Sequence, residues 1–591
     1  MNYSLNNLSG QQEKSSNLHI LRKLLQLIRE ERGNLILACL AILINSSLTL
    51  LSPYIIGHTI DSYIVHKDYN GVLRNVLLLV GIALVAFGAA YTQTRMMGSV
   101  SQRMLFKLRN TVFNKLQELP LAFFNQNKTG DLISRINNDT DKINQFFSQS
   151  LMQFIGTLAT MTGAGIFLLS INFRLGAATL FPAVLILIFT KVTSAWIRKK
   201  NALSLKRTGG LSSEIQESLS NFKVIIAFNR RDYFRNRFEE VNKLNYQAAK
   251  TAGIANNIFI PVFGFFASLA QLIVLTVGIY LISIGHFSIG LLVSYLSYAT
   301  NFYNPLRQLA ALWTNFQVAM AGADRISHIL NLESNLPVIP EGVLPSNGLG
   351  TDAPLVEFRH VHFGYSESQE ILHHVNFKLE RGKTYALVGP TGGGKTTTAS
   401  LLARLYDPLK GEVLLDGHDI RSYLPQDRTK RIGFILQEPF LFTGDVRENI
   451  LYGNEPFAGF TNEQLEKVIK DAGLQKLLAS FEQGLNTGLG SGGESISLGQ
   501  KQLIAFMRAV LRNPELLILD EATANIDTMT EQILQDILNK LPATTTKVII
   551  AHRLNTIQNA DEIFFVNAGE LIRAGSFDHA VDMLMQGKRA S

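Results

Sequence analysis

The sequence predicts a two-part chain: an α-helical membrane domain with six transmembrane helices, followed by an α/β P-loop domain. Three observations carry this. Six long apolar segments, near 34–56, 76–96, 149–170, 175–196, 255–283 and 289–318, fill the first half. Each is long enough for a hydrocarbon core, which needs about 20 helical residues. From Pro354 onward, short apolar strands alternate with amphipathic helices, the pattern of an α/β domain. Inside that second half, residues 389–396 form a complete GxxxxGK[ST] loop between a strand pattern and a helix pattern.

Composition supports the membrane half. Of 591 residues, 47% are hydrophobic and only 17% charged, against about a quarter charged in soluble domains. The formal charge of +8 reads as the lysine and arginine excess of cytoplasmic loops, so no nucleic-acid partner is expected. The single cysteine, Cys39, excludes an internal disulfide and argues against a cysteine-based metal site. The first 17 residues are polar and lack a signal-peptide pattern, so the first apolar segment is expected to direct insertion. Residues 18–28 are amphipathic, with Leu21, Leu24, Leu25 and Ile28 on one helical face. They read equally as an interfacial helix or a solvated lead-in.

Loop lengths and charges set the expected topology. The third and fourth segments are joined by little more than 171–174, and the fifth and sixth by a loop near 285–288. The connections from two to three and from four to five run to about 50 residues or more. They carry Arg95, Arg103, Lys107, Arg109 and Lys115, and then Arg198, Lys199, Lys200, Lys206, Arg207, Arg230 and Arg231. The positive-inside rule places both, with both termini, in the cytoplasm, and the protein in the cytoplasmic (inner) membrane. Few breakers interrupt these connections, so they read as membrane helices continuing into the cytoplasm. Pro53 and Pro305 mark expected kinks. The expected divisions are a cytoplasmic N-terminus over 1–32, the membrane domain over 33–325, a linker over 326–353 and the nucleotide-binding domain over 354–591.

The phosphate loop is Gly389, Pro390, Thr391, Gly392, Gly393, Gly394, Lys395 and Thr396, with Thr397 opening the helix. Its glycines let backbone N–H groups approach phosphates, and the helix N-terminus adds positive potential. Lys395 is expected to hold the β- and γ-phosphates of ATP, and Thr396 a Mg2+ ion. A second apolar strand, 516–519, is followed by Asp520 and Glu521. Asp520 suits magnesium. Glu521 suits a general base for the attacking water. A third strand, 548–551, ends at His552, placed to contact the γ-phosphate.

With these residues the chain resembles the ATP-binding-cassette (ABC) superfamily, in the exporter form that fuses membrane and ATPase domains. The resemblance covers nearly the whole chain. It implies a Q-loop at Gln437 that reaches the metal and the membrane domain, adenine stacking on Tyr365, and a switch role for His552. It also implies a D-loop at 524–527. Residues 130–139 (GDLISRINND) resemble the first coupling helix, which docks on an ATPase domain, and the second lies near 218–228. The signature motif, LSGGQ in the family, is here Ile496-Ser497-Leu498-Gly499-Gln500. The resemblance makes Ser497, Gly499 and Gln500 nucleotide contacts toward the opposite subunit.

Two departures stand out. Leu498 replaces the first signature glycine, and Ser491 stands where the family's upstream stretch carries glutamate. The set Lys395, Gln437, Asp520, Glu521 and His552 is intact. That split resembles one subunit of heterodimeric bacterial exporters, several of which carry drugs. The resemblance implies a different half-transporter as partner, ahead of a homodimer with a variant signature. It also implies ATP-driven export of a hydrophobic or amphipathic solute, whether drug-like, lipid or peptide, with membrane lipid around it. The alternative is an ATP-gated channel or regulatory subunit. The six segments contain no Asp or Glu and do not identify the substrate.

Overall fold

The computed structural model describes residues 3, 5, 31–334, 336–339, 353–366, 369–493, 495–520, 528–550, 558–575 and 577–586. The stretch 18–28, the 524–527 loop, Glu521 and His552 lie outside them. The chain separates into two compact units. One holds Gln12–Gln117 and Gly130–Asn331; the other holds Met1–Gln11, Glu118–Thr129 and Leu332–Ser591.

Residues 32–330 fold mainly as helices: α1 (Arg32–Ile64), α2 (Tyr69–Glu118), α3 (Leu121–Gln126), α4 (Thr129–Ile171), α5 (Phe173–Ser220), α6 (Phe222–Ala227), α7 (Arg231–Ser283) and α8 (Ile289–Leu330). Among the described residues, α1, α2, α4, α5 and α7 are long and apolar enough to cross a membrane. α8 covers the sixth expected segment, but Tyr295, Tyr298, Asn301, Tyr303 and Asn304 dilute its apolar run. The expected continuation of membrane helices beyond the bilayer holds: α2 runs for 50 residues and α5 for 48, roughly twice the length that spans hydrocarbon.

Packing in the helical unit follows from the lack of water in lipid, which obliges polar groups to pair inside the protein. The hydroxyl of Tyr298 donates to the Leu50 carbonyl of α1 at 2.8 Å, and that of Tyr303 to the Thr179 carbonyl of α5 at 2.6 Å. Tyr295 bonds the carbonyls of Leu168 and Asn172 at the α4–α5 turn. α8 is thereby fastened to three neighbours. Close backbone approach helps: a Cβ on Gly290 would sit 2.0 Å from the Gly57 carbonyl oxygen, so only glycine fits that crossing. The α4–α5 turn needs one residue, Asn172, whose side chain caps α5 by accepting from the Leu175 N–H at 3.0 Å.

The stretch 130–139 requires a correction. It was expected to dock on an ATPase domain, but here it belongs to the helical unit. A π-helical turn, Arg135–Asp139, turns buried Asp139 toward α8, where Arg325 binds it in a fork at 2.6 and 2.7 Å. A buried carboxylate needs such a partner. The segment that joins the ATPase unit is instead the one just before it, containing α3.

The ATPase unit has two main sheets. One is antiparallel, in the order β2-β1-β4-β5: β1 (Val356–Phe363), β2 (Leu372–Leu379), β4 (Lys410–Leu415) and β5 (His418–Asp419). The other runs β12-β11-β3-β10-β9-β6: β3 (Thr384–Val388), β6 (Ile432–Ile435), β9 (Leu516–Asp520), β10 (Thr546–Ile550), β11 (Glu562–Asn567) and β12 (Glu570–Arg573). A two-stranded ribbon pairs β7 (Gly444–Asp445) with β8 (Gly488–Leu489). The strands of the second sheet are parallel apart from β12. They read as unbroken apolar runs because both faces are buried. In β9, Leu516 and Ile518 enter the core behind the antiparallel sheet, and Leu517 and Leu519 enter a second core on the opposite face.

Glu515, just before β9, accepts from Arg431 at 2.7 and 2.9 Å and from Arg381 at 2.8 Å. These hydrogen bonds, from Arg431 above all, hold its carboxyl below the ordinary glutamate range against a smaller opposing effect of burial. A depressed carboxylate stabilises the fold above its unfolded pKa, and this is lost as pH falls through the folded one. Thermal stability should therefore fall as pH drops below about 4.3, the ordinary glutamate value. Glu515→Gln should flatten that part of a melting-temperature series.

Candidate functional site

The phosphate loop leaves β3 and enters α9 (Lys395–Leu402). Its glycines answer to specific constraints. A Cβ on Gly389 would lie 2.0 Å from the Val566 carbonyl oxygen, and Gly394 has φ +113 as it caps α9. The Lys395 ammonium is buried and donates to the carbonyls of Gly389 and Pro390 at 2.9 and 3.0 Å. It thus curls back over the loop, with its charge held where polyphosphate would lie. The Thr396 hydroxyl lies 3.3 Å from Asp520 Oδ1. Asp520 is 2% exposed at the end of β9, directly opposite Ile550, where β10 ends two residues before His552. Gln437 is exposed two residues past β6, whose Ile435 pairs with Leu519. The carboxyl ends of β3, β9, β10 and β6 therefore gather Lys395, Thr396, Asp520 and Gln437, which is where α/β sheets bind ligands.

Tyr365 stands beside this loop. Its hydroxyl is 3.2 Å from the Thr397 hydroxyl, and its ring meets Phe363 and Tyr406 edge-on at centroid distances of 5.2 Å each. It remains 46% exposed, so ring surface is open to a stacking partner. Tyr406 is a residue that sequence reading missed. Burial raises the pKa of its hydroxyl, which accepts from the Asn125 side-chain amide at 2.7 Å. Asn125 lies on α3, where Ala122 also packs against the ATPase core. A line of contacts thus joins Asn125, Tyr406, Tyr365 and Thr397. No local signal marks it, since Asn125 and Tyr406 are 281 residues apart.

Ser497, Gly499 and Gln500 sit elsewhere. Ser497 caps α10 (Leu498–Val510) in a capping box with Gln500, at 3.2 Å from its Oγ to the Gln500 N–H and 3.0 Å in return. Leu498 opens this helix and is 39% exposed. α10 packs through Leu503, Ile504, Phe506 and Met507 into the core on one face of the central sheet, while α9 packs through Ala399, Leu401 and Leu402 into the core on the other. The chain's own signature and phosphate loop are therefore on opposite sides of β9 and β10.

Fold and site define the class: a multi-pass membrane protein fused to a P-loop ATPase domain. Residues 35–306 match the ABC transporter transmembrane region and residues 372–524 the ABC transporter ATPase family. The chain is 36% identical over 571 residues to the uncharacterized ABC transporter ATP-binding protein YfiC of Bacillus subtilis, covering 95% of this chain and 92% of that protein. It is 34% identical to a fatty acid ABC transporter ATP-binding/permease protein of Mycobacterium bovis, covering 86% and 79%. It is 30% identical to a multidrug resistance ABC transporter ATP-binding and permease protein of Lactococcus lactis, covering 98% and 96%. The chain belongs to the ABC transporter family, as a fused exporter that binds ATP and couples its hydrolysis to transport.

Proposed function

We propose that this chain is one half of a heterodimeric exporter in the cytoplasmic membrane, moving hydrophobic or amphipathic solutes outward by alternating access. The ATPase domain and both termini are then cytoplasmic. The observation that carries the two-chain reading is the placement of α9 and α10 on opposite faces of one sheet. A phosphate loop closed by a signature then needs a second chain. Two ATP molecules lie between the chains, each held by one chain's Lys395 region and the other's signature. ATP favours the closed state only through its higher affinity for it.

Within this site, Lys395 and the loop N–H groups hold the phosphates, Tyr365 stacks on adenine, Glu521 is the general base and His552 contacts the γ-phosphate. Thr396, Asp520 and Gln437 present oxygen donors to Mg2+. The 3.3 Å approach of the Thr396 hydroxyl to Asp520 fits a small hard cation shared with phosphate. A Mg2+ ion held there would neutralise phosphate charge.

Exposed apolar side chains on α6 and just after it support a coupling role there. Phe222, Val224, Ile226 and Phe228 are all more than 40% exposed. The ATPase unit offers an apolar groove of complementary character just past Gln437, lined by Leu436, Phe440, Phe442 and Tyr452. In the assembled pair, α6 of one chain fills this groove on its partner.

Leu498 supports a different partner rather than a second copy. It sets an exposed isobutyl group at the helix terminus that must approach phosphate. The partner then supplies a standard signature to this chain's intact Lys395 and Glu521. Loss of one charge-assisted hydrogen bond at the altered site costs about 1.5–3 kcal/mol, slowing one site without emptying it. The test is ATPase activity of the chain alone and with its neighbouring half-transporter. The pair should be many-fold faster, and a lone chain that matches it would end the heterodimer reading. The fatty acid and multidrug relatives support an amphipathic substrate.

Tyr365→Ala should weaken nucleotide binding by only about 2–10-fold, because an aromatic stack is worth about 0.5–1.5 kcal/mol beyond its area. Titration with a fluorescent ATP analogue checks this.

A further inference from the structure

Tyr3 is 1% exposed, among the most buried large side chains of the protein. Residues near a chain start are ordered only when tied down, and here the ties are specific. The Tyr3 N–H donates to Gln126 Oε1 at 2.6 Å. The Asn127 side-chain amide donates to the Tyr3 carbonyl at 2.9 Å, and its oxygen accepts from the Leu5 N–H at 3.0 Å. Asn127 therefore brackets the N-terminal backbone as a neighbouring strand would. The Tyr3 ring meets Phe123 edge-on, and its hydroxyl donates to the Glu333 carbonyl at 3.0 Å.

These partners belong to two different chain crossings. Phe123, Gln126 and Asn127 lie in the segment that connects α2 to α4, and Glu333 lies just after α8. Both are places where the chain passes between its helical unit and its ATPase unit. α3 also needs outside support. It has six residues, no side-chain N-cap bond, and extended backbone at both ends. So short a helix does not hold itself in water. Its far contact, Asn125 to Tyr406, leads directly to Tyr365 at the nucleotide site.

We propose that Tyr3 is a positioning residue: the N-terminal segment straps α3 to the segment that follows α8, and this strap holds α3 against Tyr406 beside the nucleotide site. The proposal rests on the reading of the chain as an ATP-driven exporter whose nucleotide site includes Tyr365. By linkage, anything that loosens α3 lowers nucleotide affinity through Tyr406 and Tyr365, and bound nucleotide tightens α3 in return. The strap acts on affinity and coupling and leaves the hydrolytic residues alone.

The test uses the full-length transporter assembly in vesicles of phosphatidylethanolamine and phosphatidylglycerol. Amide exchange in 118–129, KM and kcat for ATP, and the ratio of ATPase rate in vesicles to that in detergent are followed together. Tyr3→Ala, which removes the ring contact with Phe123 and the hydrogen bond to Glu333, and Asn127→Ala, which removes the side-chain hydrogen bonds to the Tyr3 and Leu5 backbone, should each speed exchange in 118–129 by about tenfold. KM for ATP should rise severalfold and the vesicle-to-detergent ratio should fall, with kcat in detergent within about twofold of wild type. Tyr3→Phe, which loses only the contact to Glu333, should fall between. In a variant lacking residues 1–5, a synthetic peptide of residues 1–8 should restore the ratio. Unchanged exchange and KM in Tyr3→Ala would overturn the strap, as would an equal loss of kcat with fast exchange throughout the ATPase unit. An inactive wild-type assembly would instead count against the transporter reading, while the exchange arm still reports on the strap.

Discussion

Lys395→Ala is expected to abolish transport and to weaken ATP binding by two orders of magnitude or more. The Lys395 ammonium is the buried cation of the phosphate loop and now rests on the carbonyls of Gly389 and Pro390. A polyphosphate entering this loop takes the same ammonium as a charge-assisted donor, each such bond being worth about 1.5–3 kcal/mol. Alanine removes it and leaves the phosphate charge facing backbone N–H groups alone. The loss should exceed that of Tyr365→Ala by at least tenfold, since one change removes a charge and the other a partly exposed ring. Equilibrium binding of a fluorescent ATP analogue, with a thermal melt to confirm folding, measures both. Equal losses would contradict this ranking and give the adenine stack the same weight as the phosphate contact.

Glu521→Gln is expected to leave ATP binding near wild type and to slow hydrolysis by about 10²–10⁴-fold, the usual contribution of a positioned general base. Glu521 follows Asp520, which closes β9 beside the end of β10 and 3.3 Å from Thr396. Glutamine keeps the shape and hydrogen-bonding reach but cannot take a proton. The variant should accumulate ATP-bound complexes with this site closed. Single-turnover hydrolysis by the active transporter separates the chemical step from binding. Turnover within a few-fold of wild type would assign the base elsewhere.

How much was readable before folding depends on how local each pattern is. The phosphate loop, the Asp520 strand and the long apolar segments are written in consecutive residues, so spacing and periodicity reveal them directly. The exchange of 130–139 for α3 shows the limit. Both stretches are short, polar-flanked and helical, and the Asp139–Arg325 pair, with the Arg135 bond to the Arg325 carbonyl, draws the former onto α8. Arg325 is 186 residues away from Asp139, beyond any window of periodicity. Tyr406 was silent for the same reason, because its significance lies in what it touches.

The sequence by itself determined the class of this protein. Local spacing suffices to make a phosphate-binding turn, and apolar length suffices to demand a bilayer. It also contained the altered signature, since Leu498 is a matter of composition at one position. Only the tertiary structure decided which face each motif occupies. The one-residue alternation of β9 sends α9 and α10 to opposite sides of a sheet. Tertiary packing also brought Tyr3 to Glu333 across 330 residues. Such contacts depend on loop closure and on mutual burial of distant surfaces, which no run of neighbouring residues encodes.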